Sequence, residues 1–227
     1  MNSISYTLLT LVFILSSFNV YSQDIYVHPW VGAGITDLEG SPIDQSVFGR
    51  DIGWAAGAKL ELSGNRWQKS IGICMLRTGF GTEVSAFDLN GVAKWYQFKG
   101  RIHHILIPVT LGYKIPVGKM SLMPELGIAA GYLADAIYKI KDIESGSTER
   151  GELKLAGNAE FRKFSMFGIM GFKIVYPFNS RFALTVAPTY YLMVSNSNSR
   201  TGGFFNYGAS GHQYALTLNA GLGVKLW

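Results

Sequence analysis

Arg181-Phe182-Ala183-Leu184-Thr185-Val186-Ala187-Pro188-Thr189-Tyr190-Tyr191-Leu192-Met193-Val194-Ser195 alternates with a period of two. On an extended strand Phe182, Leu184, Val186, Pro188, Tyr190, Leu192 and Val194 share one face, and Arg181, Ala183, Thr185, Ala187, Thr189, Tyr191 and Ser195 share the other. The second face decides the fold. Ala and Thr dominate it, where a water-exposed sheet face would carry Lys, Glu, Arg and Gln. Small side chains suit the inside of a narrow closed barrel, because bulky ones from every strand would collide there. The unbroken apolar face then points outward into lipid.

The pattern recurs. In 211–227, Tyr214, Leu216, Leu218, Ala220, Leu222, Val224 and Leu226 oppose Gln213, Ala215, Thr217, Asn219, Gly221, Gly223 and Lys225. In 50–63, Ile52, Trp54, Ala56, Ala58, Leu60 and Leu62 oppose Asp51, Gly53, Ala55, Gly57, Lys59, Glu61 and Ser63. Read this way the chain yields eight strands, at 25–36, 50–63, 69–87, 92–116, 119–139, 164–176, 181–196 and 211–227. The connections 64–68, 117–118 and 177–180 are short; 37–49, 140–163 and 197–210 are long, and 88–91 alone departs from the alternation. Short turns on the side of the termini and long loops on the other are the habit of membrane barrels. The fold class is therefore all-β: an eight-stranded antiparallel up-and-down transmembrane β-barrel. A soluble lipocalin-type barrel is the alternative, and it has less reason to keep one face apolar along whole strands.

The N-terminus predicts export. An apolar core, Leu8, Leu9, Leu11, Val12, Phe13, Ile14 and Leu15, is followed by Val20-Tyr21-Ser22 and Gln23. Val20 and Ser22 fit the −3 and −1 positions of a signal-peptidase site, so residues 1–22 read as a cleaved signal peptide and 23–227 as one barrel domain. The run is too short for a helical span. The segment before the core carries no Lys or Arg, which departs from the usual signal. No Cys follows the cut, so no lipid anchor is expected. The lone Cys74 allows no intramolecular disulfide. The net charge of +5 is scattered over the chain, and an exported protein does not normally meet nucleic acid, so no nucleic-acid partner is expected. The expected location is the outer membrane, with outer-membrane lipid, the barrel-assembly machinery and other envelope proteins as partners.

Aromatics gather near strand ends: Trp67, Tyr113, Tyr176, Phe178 and Trp227 toward the short turns, and Trp95, Tyr96, Tyr138 and Tyr207 toward the long loops. Interfacial girdles have that distribution. The long connections are polar and Gly/Ser-rich, with Phe204, Phe205 and Tyr207 as candidates for surface contact.

His104-Ile105-Leu106-Ile107-Pro108-Val109-Thr110-Leu111-Gly112-Tyr113-Lys114 resembles the fourth-strand signature of the PorT-like outer-membrane β-barrel domain family. Pro124-Glu125-Leu126-Gly127, Phe167-Gly168-Ile169-Met170-Gly171 and Thr189-Tyr190-Tyr191 are also similar. The resemblance covers nearly all of the mature chain. It implies an eight-stranded outer-membrane barrel, in a family that includes an accessory factor of a secretion system, and it carries over no functional residue. The terminal strand also looks like an assembly signal, although the residue in phase is Leu226 and Trp227 lies one step beyond. Because the chain stops there, no appended peptidoglycan-binding domain is expected.

No catalytic, cofactor or metal motif stands out. Lys59, Glu61, Lys114, Glu125, Lys173 and Lys225 fall on inward parity near the short-turn end. Charges inside such a space must be paired or hydrated, so these six predict a charge layer with Glu61 and Glu125 as shared acceptors. The expected role is non-catalytic: structural, adhesive, or accessory to secretion or assembly. One alternative is a lipid-modifying enzyme of the lipid A deacylase or acyltransferase type. It would draw on His103, His104 or His212 as base, with Ser210 beside His212, but no spacing singles out a Ser-His-acid set. A narrow channel is the other alternative, and side chains fill most of an eight-stranded interior. His103 and His104 are adjacent in a strand and point to opposite faces, so they do not form a metal pair.

Overall fold

In a computed structural model of the chain, describing residues 24–39, 48–87, 93–152, 163–195 and 212–226, every regular element is a strand. In chain order these are β1 (Asp24–Glu39), β2 (Phe48–Ser63), β3 (Trp67–Phe87), β4 (Ala93–Tyr113), β5 (Ile115–Val117), β6 (Met120–Asp142), β7 (Thr148–Glu152), β8 (Phe164–Pro177), β9 (Phe182–Met193) and β10 (His212–Lys225). Eight of them close a ring in which each strand is antiparallel to both neighbours: β1, β2, β3, β4, β6, β8, β9 and β10, with β1 sealed against β10. The short β5 prolongs β4 along β6, and β7 folds back on the far end of β6.

Following the registers around the ring from Trp67 returns to β3 at Arg77, a stagger of ten residues. At ~3.3 Å per residue and ~4.8 Å between strands, that stagger tilts the strands by about 40°. The β5–β6 turn is a two-residue connection in which Gly118 has φ 59°. Hairpin turns that match the strand twist need a positive φ at their first central residue, and glycine supplies it without strain.

The apolar strand faces lie outside. Ile52 is 73% exposed and Leu218 60% exposed, in a belt with Val31, Ile73, Ile107, Leu126, Met170 and Leu216. Aromatic pairs bound the belt. Trp67–Tyr113 and Tyr176–Phe178, with centroids 5.0 and 5.6 Å apart, stand at the short-turn end. Tyr132–Phe164, at 5.4 Å, stands toward the other end.

On one side of the ring the strands outrun the belt. From Tyr113 back to Trp95, β4 climbs about 45 Å at the tilt above, against an apolar band of about 25 Å in such barrels. Tyr138 accordingly stacks on Phe98, with centroids 6.1 Å apart and planes 13° apart, inside this extension. It does not sit in the interfacial girdle expected of it. Tyr96, opposite Asp142, and Trp95 are placed on the extension as well. Part of the expected loop 140–163 is a hairpin instead. Asp142 Oδ1 accepts the amides of Glu144 and Ser145, Gly146 takes φ 70°, and the chain returns as β7. An Asp side chain that caps its own turn, followed by a glycine, converts a polar stretch into a hairpin. Trp227, Tyr207 and the segment 1–22 lie outside the described residues.

Candidate functional site: the filled lumen

On β2, β9 and β10 the inward face is mostly small residues, while β3, β4, β6 and β8 also send large side chains inward, and these meet in layers. Nearest the short turns lies a cluster of charges. Glu61 comes from β2, two residues before the strand ends; Glu125 from β6, Lys173 from β8, Lys59 from β2 and His28 from β1. Lys173 is 1% exposed, and its Nζ lies 2.8 Å from Glu61 Oε1 and 3.0 Å from Glu125 Oε1. Lys59 Nζ lies 3.0 Å from Glu61 Oε1 and 3.7 Å from Glu125 Oε1. Two ammonium groups thus share two carboxylates. Burying any one of these charges without its partners would cost several kcal/mol.

His28 completes the cluster. Its Nδ1 is 3.0 Å from Glu61 Oε1 and its Nε2 is 2.6 Å from the Thr185 hydroxyl, so both ring nitrogens have partners. Gly221 makes room for the ring: a Cβ there would stand 2.5 Å from Nε2. His28 was absent from the expected layer. Its even-numbered position on β1, in phase with Gly32, Gly34 and the buried Thr36, was the available signal.

Two of the expected members stand elsewhere. Lys225 lies at the rim, with Nζ 2.7 Å from Asp24 Oδ1. It is the last residue of β10, and β1 brings Asp24 beside it, so its counter-ion is not Glu61 or Glu125. Lys114 donates to the Ser63 hydroxyl at 2.7 Å and to the Gly64 carbonyl at 3.4 Å. It follows the last residue of β4, where the 64–66 turn offers nearer acceptors than either carboxylate.

Beside the charges is a cavity of about 50 Å³, bordered by Ser70, Thr110, Thr185, Thr189, Tyr191 and Asn219 among others. Beyond it the lumen turns apolar: Leu76, Leu106, Phe167, Tyr191 and Met193 pack with Cys74 and Ala215. A polar tier follows, in which Gln213 Oε1 accepts the Thr78 hydroxyl at 2.8 Å and His104 Nε2 at 3.0 Å, and His104 meets Phe167 edge-on. Phe80, Phe98, Ile102 and Leu133 pack above that tier.

The candidate bases are held apart. His104 is 1% exposed inside the barrel, whereas His103 lies on the exterior with Nδ1 3.6 Å from Asp135 Oδ2. The polar partners described for the two are Gln213 and Asp135, and neither is the Ser hydroxyl that a Ser-His-acid set requires. The side chain of His212 and the residues Ser210, Phe204, Phe205 and Tyr207 lie outside what the structure describes. Among the described residues no group of three His, Cys, Asp or Glu side chains is placed to hold a metal ion.

A closed antiparallel ring with an apolar exterior, aromatic rims and a filled polar and apolar interior is a β-barrel of the outer-membrane type. Several solved structures are similar. Neisserial surface protein A matches at 12% identity over 89% of this chain and 97% of its own, with a TM-score of 0.46. The outer membrane protein OprG of Pseudomonas aeruginosa matches at 12% identity over 90% and 96%, with a TM-score of 0.42. The outer membrane protease OmpT of Escherichia coli matches at 10% identity over 90% and 96%, with a TM-score of 0.43. Likeness at this level leaves the fold to stand on the strand ring itself. No family model and no curated protein matches the chain, so the PorT-like resemblance is carried by its short residue matches alone.

Proposed function

We propose that the chain is a non-catalytic outer-membrane barrel that anchors and displays the surface beyond its belt, for adhesion or for docking other envelope proteins. The observation that carries this reading is the lumen. The Glu61–Lys173 layer and the Leu76–Phe167 layer both cross it, which argues against solute passage. The extension of β3, β4 and β6 past the belt offers a face for partners. A secretion-accessory role of the PorT-like kind is one form of the reading, supported by residues 104–114. Barrel-assembly machinery and outer-membrane lipid are the partners any such barrel requires.

Planar-bilayer recording of the purified barrel tests the closed lumen. No discrete conductance steps are expected, and steady steps would sink the reading in favour of a channel. Purification from native envelopes then separates the forms of the proposal. Stoichiometric envelope proteins are expected for a docking role, and altered lipid A in cells lacking the gene would favour a lipid-modifying enzyme instead.

A further inference from the structure

The exterior of the extension carries a row of cations. Lys99 stands opposite Lys139 across the β4–β6 ladder, and Lys139 stands opposite Arg150 across β6–β7. Directly opposite residues share a sheet face, and like charges so placed repel. Arg101 lies two residues further down β4 on the same face. These four, with Ile137, Tyr138 and Gly151, line a recess of about 440 Å³. Three carboxylates border it: Asp135 lies beside His103, Glu152 stands in the row of Arg101 and Ile137, and Glu83 stands opposite Gln97, diagonal to Lys99, so the cations outnumber the acids. Four cations facing one another around a recess suit an anion that each can reach.

Height and direction specify the anion. From Tyr113 at the lower rim, β4 climbs about 30 Å to Arg101 and about 35 Å to Lys99 at the tilt of the barrel. The apolar band of such barrels spans about 25 Å, so the recess begins in the headgroup layer of the far leaflet. The odd-numbered side chains of β4 point sideways from the barrel wall, where neighbouring lipids stand, as the exposed Ile107 and Leu111 below them do. Arg77, opposite His103 at the edge of the belt, has a buried Nε without a hydrogen-bond partner among the described residues. Phosphate oxygens are strong acceptors for guanidinium and ammonium groups.

We propose that Lys99, Arg101, Lys139 and Arg150 bind a phosphate group on the headgroup of an outer-leaflet glycolipid. This rests on the barrel's outer-membrane placement with β7 outward. The purified full-length barrel, held in phosphatidylcholine bicelles, is titrated with diphosphorylated lipid A, with dephosphorylated lipid A and with inorganic phosphate. Saturable binding of the diphosphorylated form is expected, about tenfold or more tighter than the dephosphorylated form. A Lys99→Gln/Lys139→Gln variant should lose about as much, while Lys119→Gln at the opposite end should lose nothing. Equal binding of both lipids, or a double variant that binds like the parent, overturns the site. Competition by inorganic phosphate at the concentration that lipid A requires overturns the lipid as its source. The two lipid arms use the unaltered protein, so they decide the matter even where the double variant folds poorly. Because the bicelle carries no cellular address, a misplaced barrel would still bind, and an error of placement would show only in surface labelling of cells.

Discussion

Glu61 concentrates three donors on one oxygen: His28 at 3.0 Å, Lys59 at 3.0 Å and Lys173 at 2.8 Å. Removing its charge leaves two ammonium groups with one carboxylate inside the lumen. Glu61→Gln is expected to cost about 3–5 kcal/mol, the range for breaking a buried pair, read from urea unfolding in lipid vesicles. Lys173→Met in the same background should cost far less than it does alone, because the two side chains act as one unit. Additive losses would show that the charges are hydrated independently. The adjoining cavity of about 50 Å³ has room for water beside the pair but does not replace it.

Single strands show why the exterior belongs to lipid. Leu218 sits midway along β10, 60% exposed, with Leu216 and Leu222 on the same face. Leu218→Arg is expected to destabilise the barrel by about 2–4 kcal/mol, the cost of a cation near the bilayer midplane. The same change at Val27, nearer the rim, should cost about 1 kcal/mol or less. Equal costs in vesicle unfolding would contradict the belt. The β6–β7 hairpin makes a different prediction, because its tip lies outside the membrane. The amide and hydroxyl of Ser145, then the amide of Glu144, hold the Asp142 carboxyl below the usual carboxylate range. A carboxyl depressed in the folded state contributes order above its unfolded pKa and loses it as pH falls through the folded value. Amide exchange at Glu144 and Ser145 should therefore accelerate relative to β6 on strong acidification, after correction for intrinsic rates. An unchanged ratio would remove Asp142 as the organiser of the turn.

At the scale of the whole molecule, the ring, its tilt and the long β3, β4 and β6 divide the protein into a membrane cylinder and a one-sided outer extension. The proposed orientation puts the 143–147 tip at the cell surface and the 64–66 turn in the periplasm. Cysteine introduced as Ser145→Cys, with Cys74 changed to Ala, should react with an impermeant maleimide on intact cells. Arg66→Cys should react only after the envelope is opened. The reverse pattern would invert the barrel and remove the surface role with it.

The alternation of 181–195 and the small inner face were enough for the strand count, the direction of each face and the inward parity of Lys59, Glu61, Glu125 and Lys173, because a two-residue period is a local property of the backbone. The start and end of most strands followed within a few residues for the same reason. Register was not legible, since nothing in one strand states which residue of its neighbour it will face. Register alone brought His28 against Glu61, gave Lys225 to Asp24 rather than to the carboxylates of the layer, and set Lys99, Lys139 and Arg150 in one row. The hairpin after β6 was hidden similarly, because a polar stretch reads as loop until a neighbouring strand offers it a ladder. A membrane barrel with a narrow, partly charged interior is thus written in the alternation of single strands. Which charges meet follows from ring closure, because pairing across strands depends on the stagger of the closed ring and not on any residue's own neighbours.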